Sequence, residues 1–312
     1  METVDVIIPV YKPDRGFLTL VEKLETQSHP VNQIIIMNTE QKYFDRLFYG
    51  TVLERTYHNI TVKHLSKREF DHGHTRNQGV RLSKADVFLM MTQDAMPADE
   101  YLVERLLAGL RDEGTAAAYA RQLPGEKSGE IERYTRRFNY PEESFIKTKA
   151  DLPELGIKTF FCSNVCAAYK REIFDALGGF VNRAIFNEDM LYAAKAVNAD
   201  YGIAYVAGAC VYHSHNYNYR QQFHRNFDLG VSQADHPEVF AAYPSESEGL
   251  RLLKGTVAHL KKKGMRNKIP SVILQCVFKY AGYLCGKKYR RLPKRLVLSM
   301  SSNKDYWRQG CL

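Results

Sequence analysis

Short, nearly unbroken apolar runs punctuate the first hundred residues: VDVIIPV (4–10), QIIIMN (33–38) and ADVFLMMT (85–92), with ITVKHL (60–65) between the last two. A strand with one wet face alternates apolar and polar residues, whereas runs of this kind bury both faces, as strands of a parallel sheet do. Helical spacing fills the gaps between them. Phe17, Leu20, Val21 and Leu24 recur at i, i+3, i+4 and i+7, a helix is predicted from near His74 to Ser83, and another after Pro97 carries Leu102, Val103, Leu106, Leu107 and Leu110 on one face. Strands alternating with helices predict a doubly wound α/β sheet, which binds ligands beyond the carboxyl ends of its strands. Tyr11, Asn38-Thr39 and Gln93-Asp94 stand at three such ends.

The second half reads differently. Residues 122–158 are rich in charge, Pro and Gly with weak periodicity, which predicts a long, partly mobile segment. TFFCSNVCAAYK (159–170) reads as a strand, and REIFDALGGF (171–180) as a helix ended by Gly178-Gly179. NEDMLYAAKAV (187–197) reads as a further helix, and GIAYVAGACVYHSH (202–215) as a strand or strand pair.

Charge is placed unevenly. The chain of 312 residues carries +9, yet Gly249 to Lys304 holds fifteen Lys and Arg and no acid, so the rest is net acidic. Within that basic stretch lie the apolar segments LRLLKGTVAHL, IPSVILQCVFKYAGYLCG and RLVLSM. Cations around apolar helical segments suit an anionic membrane surface, each adding roughly 1 kcal/mol near the headgroups. The same helices could instead pack on their own domain or form a homodimer contact. Nucleic acid is not an expected partner, because no recognition motif accompanies the basic stretch. The expected organisation is therefore a domain at 1–245 and a basic helical tail at 246–312.

A composition of 45% hydrophobic and 25% charged residues excludes collagen-like, low-complexity and disordered classes. No run of about 18 uncharged apolar residues is present to cross a bilayer. The start, METVDVIIPVYKPD, lacks the pattern of a secretory signal, and six scattered cysteines form no CxxC pair. A cytoplasmic location, peripheral on the inner face of the plasma membrane, is expected.

Each candidate for chemistry has a plainer alternative. Asp94, after a buried strand, can ligate Mg2+ or Mn2+ together with phosphate oxygens, or cap the helix that follows. Asn187-Glu188-Asp189 opens a helix, where acids suit the macrodipole; Glu188 or Asp189 could equally be a general base. The helix start favours an ionised Asp189. His213 and His215 share a face of an extended segment and could hold a metal, or be structural. His72, Gly73, Arg76 and Asn77 lie in FDHGHTRNQGV, where a helix N-terminus and a guanidinium could clasp a diphosphate.

The ordered set VIIPVY, FDHGHTRNQG, FLMMTQDAMP, FNEDM and VYHSHNY resembles the family 2 glycosyltransferases, and most closely their bacterial rhamnosyltransferase branch, over residues 4 to about 230. The resemblance implies a GT-A fold, a Rossmann-like mixed sheet, with a nucleotide-sugar donor, Mn2+ or Mg2+ and inversion at the anomeric carbon. It implies Pro9, Val10 and Tyr11 at the nucleoside, Asn38 and Thr39 near the pyrimidine, and His72 and Arg76 at nucleobase or phosphate. Gln93 and Asp94 stand in for an Asp-x-Asp pair, Asp94 and His215 would be metal ligands, and Asp189 the base, beside Glu188. It further implies transfer of L-rhamnose from dTDP-β-L-rhamnose to a lipid-linked glycan of the cell surface. Another UDP- or dTDP-hexose donor, or an idle membrane-associated sugar-binding subunit, are the rival expectations.

Overall fold

The four apolar runs do form parallel strands. β1 (Val4–Tyr11), β2 (Gln33–Thr39), β3 (Ile60–Leu65) and β4 (Val87–Met91) lie side by side in the order β3-β2-β1-β4. The computed structural model describes residues 2–48, 51, 58–214, 217–244 and 246–309. Among these, nine strands make one mixed sheet in the order β3-β2-β1-β4-β8-β6-β9-β5, with β7 also paired to β9. β8 (Cys166–Lys170) runs antiparallel to β4 and to β6 (Thr115–Leu123), and β9 (Gly202–Tyr212) runs parallel to β6. The expected α/β class, with helices on a mixed sheet and a helical C-terminal region, is what the chain adopts.

Helix α1 (Arg15–Glu25) starts where the Asp14 side chain accepts from Gly16 N at 2.9 Å, and it buries Phe17, Leu20, Val21 and Leu24. Each such burial contributes roughly 1.5–3 kcal/mol. With Val6, Ile8, Ile34, Ile36 and Leu89 of the strands, these side chains form the main core. α2 (Gln41–Phe48), α3 (His72–Leu82) and α4 (Leu102–Gly109) follow β2, β3 and the two-residue β5 (Met96–Pro97). Elsewhere in this unit, Phe88, Phe174, Phe180 and Tyr192 surround Tyr169 of β8, with ring centroids 5.3–5.8 Å from it.

Two expectations are corrected and a third is narrowed. Residues 122–158 are not a loose segment: β6 extends to Leu123, α5 spans Glu130–Asn139 and β7 spans Phe145–Lys147. β7, three residues long, cannot display a period, and in α5 charges dilute the i, i+3, i+7 spacing of Ile131, Tyr134 and Phe138. Lys147 is buried, donates to the carbonyls of Lys158 (3.1 Å) and Phe161, and lies 4.8 Å from the Tyr119 ring centroid. Desolvation lowers its pKa to about 7. The strand expected over 159–170 begins only at Cys166, and the strand or strand pair at 202–215 is one strand ending at Tyr212, with register shifts against β6.

The chain divides into two compact units, residues 1–123, 141–183 and 188–213 in one, and 124–140, 184–187 and 214–312 in the other. The first holds the sheet, with α6 (Arg171–Ala176) and α7 (Glu188–Asn198). The second holds α5, α8 (Tyr219–Asp235), α9 (Glu246–Lys262), α10 (Ile269–Lys287) and α11 (Lys294–Met300). Within this second unit, which includes residues 246–312, α8 packs on α10. A Cβ on Gly286 would lie 2.1 Å from Phe227 O, and one on Gly230 2.3 Å from Tyr283 O, so the two backbones touch where only glycine fits.

Candidate active site

The parallel strands bring their carboxyl ends to one edge. Register pairs Tyr11 with Thr39 and Thr39 with Leu65. Gln93, just past β4, bolts this edge: its Oε1 accepts from Tyr11 N at 2.8 Å and its Nε2 donates to Tyr11 O at 3.1 Å. Only an amide can do both, which accounts for Gln in place of an acid here. Val10 points into the core and Pro9 is half-buried, so both present mainly backbone to the edge. The exposed Tyr11 ring stands edge-on to Tyr43 at 5.8 Å, with Lys12 Nζ and Lys67 Nζ 5.4 and 5.1 Å from its centroid. Asn38 is fully buried, with Nδ2 2.9 Å from His64 Nδ1. Asn38 Oδ1 and Thr39 Oγ1 are buried without a hydrogen-bond partner.

Helix α3 clamps the 180–183 segment. Its N-cap, Asp71, accepts from His74 N (2.8 Å) and Arg183 N (3.1 Å). Asn77 exchanges hydrogen bonds with Phe180, donating to its carbonyl (2.8 Å) and accepting from its N–H (3.1 Å). A Cβ on Gly73 would sit 1.8 Å from Val181 O, so the glycine is what permits the approach. Arg76 was expected at nucleobase or phosphate. In this structure its guanidinium is buried, 3.2 Å from Glu188 Oε1 and donating to His72 O at 3.0 Å. The His72 ring lies beside it, 3.4 Å from Nδ1 to Nη1.

Glu188 and Asp189 open α7, just after Asn187 takes a left-handed φ of 64°. Asn164 binds both acids: its backbone N donates to Asp189 Oδ2 (2.9 Å) and its Nδ2 to Glu188 Oε1 (3.1 Å). Tyr169, rooted in the aromatic cluster, donates to Asn164 Oδ1 at 2.7 Å and fixes that amide. Met190 N donates to Asp189 Oδ1 at 2.8 Å. The two carboxyls are driven apart. Burial opposes ionisation of Glu188, but Arg76, His72 and Asn164 outweigh it and hold its pKa below the ordinary value. Burial and the adjacent Glu188 charge push Asp189 up to about 7. The expectation that a helix start keeps Asp189 ionised is thereby corrected: desolvation beats the dipole.

Asp94 meets His213, whose Nε2 is 3.6 Å from Asp94 Oδ1. Gln122 donates to Ser163 Oγ (3.0 Å), leaving its Oε1 as the partner of His213 Nδ1 at 3.0 Å. That arrangement makes Nδ1 the donor to Gln122 and turns Nε2 toward the carboxylate. An imidazole nitrogen and a carboxylate oxygen so placed can share a cation, and a hydrogen-bond acceptor on the far nitrogen is the usual support of a metal-binding histidine. The described residues contain no cluster of three or more His, Cys, Asp or Glu able to hold a metal, so substrate oxygens would complete the set. His215 lies outside the described residues.

Both acids flank one short segment. Thr92 N donates to Val165 O at 3.1 Å, two positions before Asp94, while neighbouring Asn164 holds Asp189. Asp94, His213, Gln122, Ser163, Asn164 and Asp189 thus form a continuous chain of contacts. Sequence reasoning missed Gln122, Ser163, Asn164, Tyr169 and His64. The signal for two of them was present: Ser163-Asn164 interrupts an otherwise apolar run with turn-forming residues.

Comparison with known proteins identifies the family and the fold. The sequence matches the family model described as Glycosyl transferase family 2 over residues 5–178. It is 36% identical over 307 residues to the O-antigen chain rhamnosyltransferase RfbN of Salmonella typhimurium, covering 97% of this chain and 96% of that one. It is likewise 36% identical over 310 residues to the O-antigen chain rhamnosyltransferase WbaN of Salmonella anatum, covering 98% and 96%. Among solved structures, the mannosyltransferase PcManGT from Pyrobaculum calidifontis, in complex with GDP-Man and Mn2+, superposes with a TM-score of 0.57 at 13% identity, covering 99% of this chain and 85% of that one. S. aureus TarS 1–349, in complex with UDP-GlcNAc, gives 0.50 at 13% identity, covering 93% and 92%. The fold is that of the GT-A glycosyltransferases. The chain belongs to glycosyl transferase family 2, and it is a glycosyltransferase.

Proposed function

We propose that the protein is an inverting rhamnosyltransferase that moves L-rhamnose from dTDP-β-L-rhamnose to a lipid-linked glycan of a cell-surface polysaccharide, working at the cytoplasmic face of the membrane. The observation that carries the chemistry is the pairing of a buried, ionised Glu188 with an Asp189 whose pKa sits near 7. A base is most effective with a pKa near the working pH, and Asp189 is the less buried residue of the two acids. Support for the sugar comes from the two full-length relatives, both rhamnosyltransferases.

In this reading Asp189 takes the acceptor hydroxyl proton as that oxygen attacks C1, and the C1–O bond to the nucleoside diphosphate breaks on the opposite face. One displacement inverts the centre and needs no protein nucleophile. Glu188, clamped by Arg76 and Asn164, stays charged, and its charge keeps the neighbouring carboxyl basic. Asn164 and Tyr169 hold the base in place. Pro9, Val10, Tyr11, Asn38 and Thr39 would line the nucleoside, with the orphaned atoms Asn38 Oδ1 and Thr39 Oγ1 available to its polar edge. Asp94 and His213, assisted by His215, would hold Mn2+ or Mg2+, which when bound offsets charge on the leaving diphosphate. Lys12 and Lys67 would add positive charge at the same edge.

Thermal shift and hydrolysis assays with Mn2+ against dTDP-rhamnose, other dTDP-sugars and UDP-sugars test the donor. A response confined to dTDP-rhamnose is expected, and one confined to UDP donors reverses it. Unchanged turnover in Asp189→Asn would remove Asp189 as the base, and no turnover with any donor would favour a sugar-binding subunit.

A further inference from the structure

We propose that the outward face of α10 is a membrane-docking surface that lies on anionic lipid bilayers. One face of this helix is consumed by α8: Val272, Gly282, Tyr283 and Gly286 are buried, and Cβ atoms on Gly282 and Gly286 would strike the Phe223 and Phe227 carbonyls at 2.2 and 2.1 Å. Ile273, Val277, Tyr280 and Leu284 then fall on the opposite side within an arc of about 60°, given 3.6 residues per turn. They and Leu274 are exposed, from 38% at Leu284 to 56% at Val277. Among the described residues, five of the thirteen exposed large apolar side chains lie on this one helix, which marks it as an interaction surface.

The charges around the stripe identify what it meets. Between Ile269 and Gly286 the helix carries a single charge, Lys279, set about 120° away from Ile273 around the axis. Immediately past its last exposed apolar residue come Lys288, Arg290, Arg291, Lys294 and Arg295, all exposed, followed by exposed Leu296. No acid occurs from Gly249 to Lys304. Asp235 pairs with Arg290 at 2.9 Å, which leaves Lys288, Arg291, Lys294 and Arg295 as the cationic border of the stripe. An apolar stripe so bordered matches the interface of an anionic bilayer, where apolar side chains enter the acyl boundary and cations stay with the headgroups. Tyr280, in mid-stripe, suits that depth with an apolar ring and a polar tip. A second copy of the chain fits less well, because a two-fold contact through this face would set two predominantly cationic borders against each other. No described helix is long and apolar enough to cross a membrane, so the contact is one of lying on the surface. The inference names the surface behind the location proposed above, and it uses none of the residues placed in catalysis.

Full-length protein would be sedimented with phosphatidylcholine vesicles, with and without phosphatidylglycerol. Binding is expected only with phosphatidylglycerol, weakening as salt rises. Val277→Glu changes an exposed position, so it keeps the wild-type circular dichroism, melting temperature and turnover on a water-soluble acceptor while lowering vesicle partitioning about tenfold. Lys288→Glu with Arg291→Glu lowers it several-fold. Equal binding to both vesicle types, or wild-type binding by Val277→Glu, overturns the proposal. So does light scattering that shows a wild-type dimer split by Val277→Glu, which would assign the stripe to a second copy. None of these outcomes bears on donor turnover, so the docking surface can fail while the enzymatic reading stands.

Discussion

Arg76 and Glu188 form an ion pair at 3.2 Å with each side chain 7% exposed, joining α3 to the first residue of α7. The pair supports the neighbouring Asp189 in two ways: it anchors the helix start and keeps a negative charge beside the base. Removing one partner of a buried pair strands the other, at a cost of about 3–5 kcal/mol. Arg76→Met should therefore lower stability by that order in urea unfolding, and lower turnover with it. Arg76→Met combined with Glu188→Met should regain most of the stability and none of the turnover. Equal loss in the single and double variants would show that the pair is not the anchor.

The Asp189 carboxyl titrates near pH 7 because burial and Glu188 disfavour its charge. The log of kcat/KM should fall with unit slope below about pH 7, and Asp189→Asn should lose about 10²–10⁴-fold in turnover together with that limb. The sign for stability is opposite. A carboxyl raised from 3.8 to about 7 binds more protons folded than unfolded across that window, so its contribution declines as pH rises through it. Asp189→Asn should consequently gain melting temperature relative to wild type from pH 5 to pH 8. A constant difference across that range would refute the perturbed carboxyl.

Gln93 gives and receives one hydrogen bond with the Tyr11 backbone. Gln93→Glu keeps the acceptor and loses the donor, setting a carboxylate against the Tyr11 carbonyl. A loss of about 1–3 kcal/mol is expected in chemical denaturation, with a raised KM for the donor if Tyr11 lies at the nucleoside. A fully stable variant would mean that the strand ends do not depend on this bolt.

His213 owes its orientation to Gln122. Gln122→Leu should weaken metal-dependent nucleotide binding about 10–100-fold, as loss of the group that orients a metal-binding histidine does, without altering metal-independent binding. Mn2+ titration monitored by thermal shift, with and without nucleoside diphosphate, reads this directly. Metal dependence identical to wild type would separate His213 from the cation.

Much of the sheet was legible because its strands are buried on both faces and cannot hide their composition. VDVIIPV, QIIIMN and ADVFLMMT became β1, β2 and β4, and the spacing of Phe17, Leu20, Val21 and Leu24 became the buried face of α1. The middle of the chain was not legible. β7 is three residues long and prints no pattern, and in α5, which buries no side chain fully, five charges dilute the spacing of Ile131, Tyr134 and Phe138. Asp94 and Asp189 were recognisable as candidates from their places at a strand end and a helix start, but their surroundings were not.

Local chemistry written along the chain thus determined which segments are strands, which are helices, and which carboxylates stand at their ends, because periodicity and caps act within a few residues. Partner choice was decided only by the folded sheet. Asn164 reaches two acids, Gln122 turns His213 toward Asp94, and Arg76 pairs with Glu188. Desolvation and charge proximity set those outcomes, and both depend on distances that exist only after distant strands and helices have been brought together.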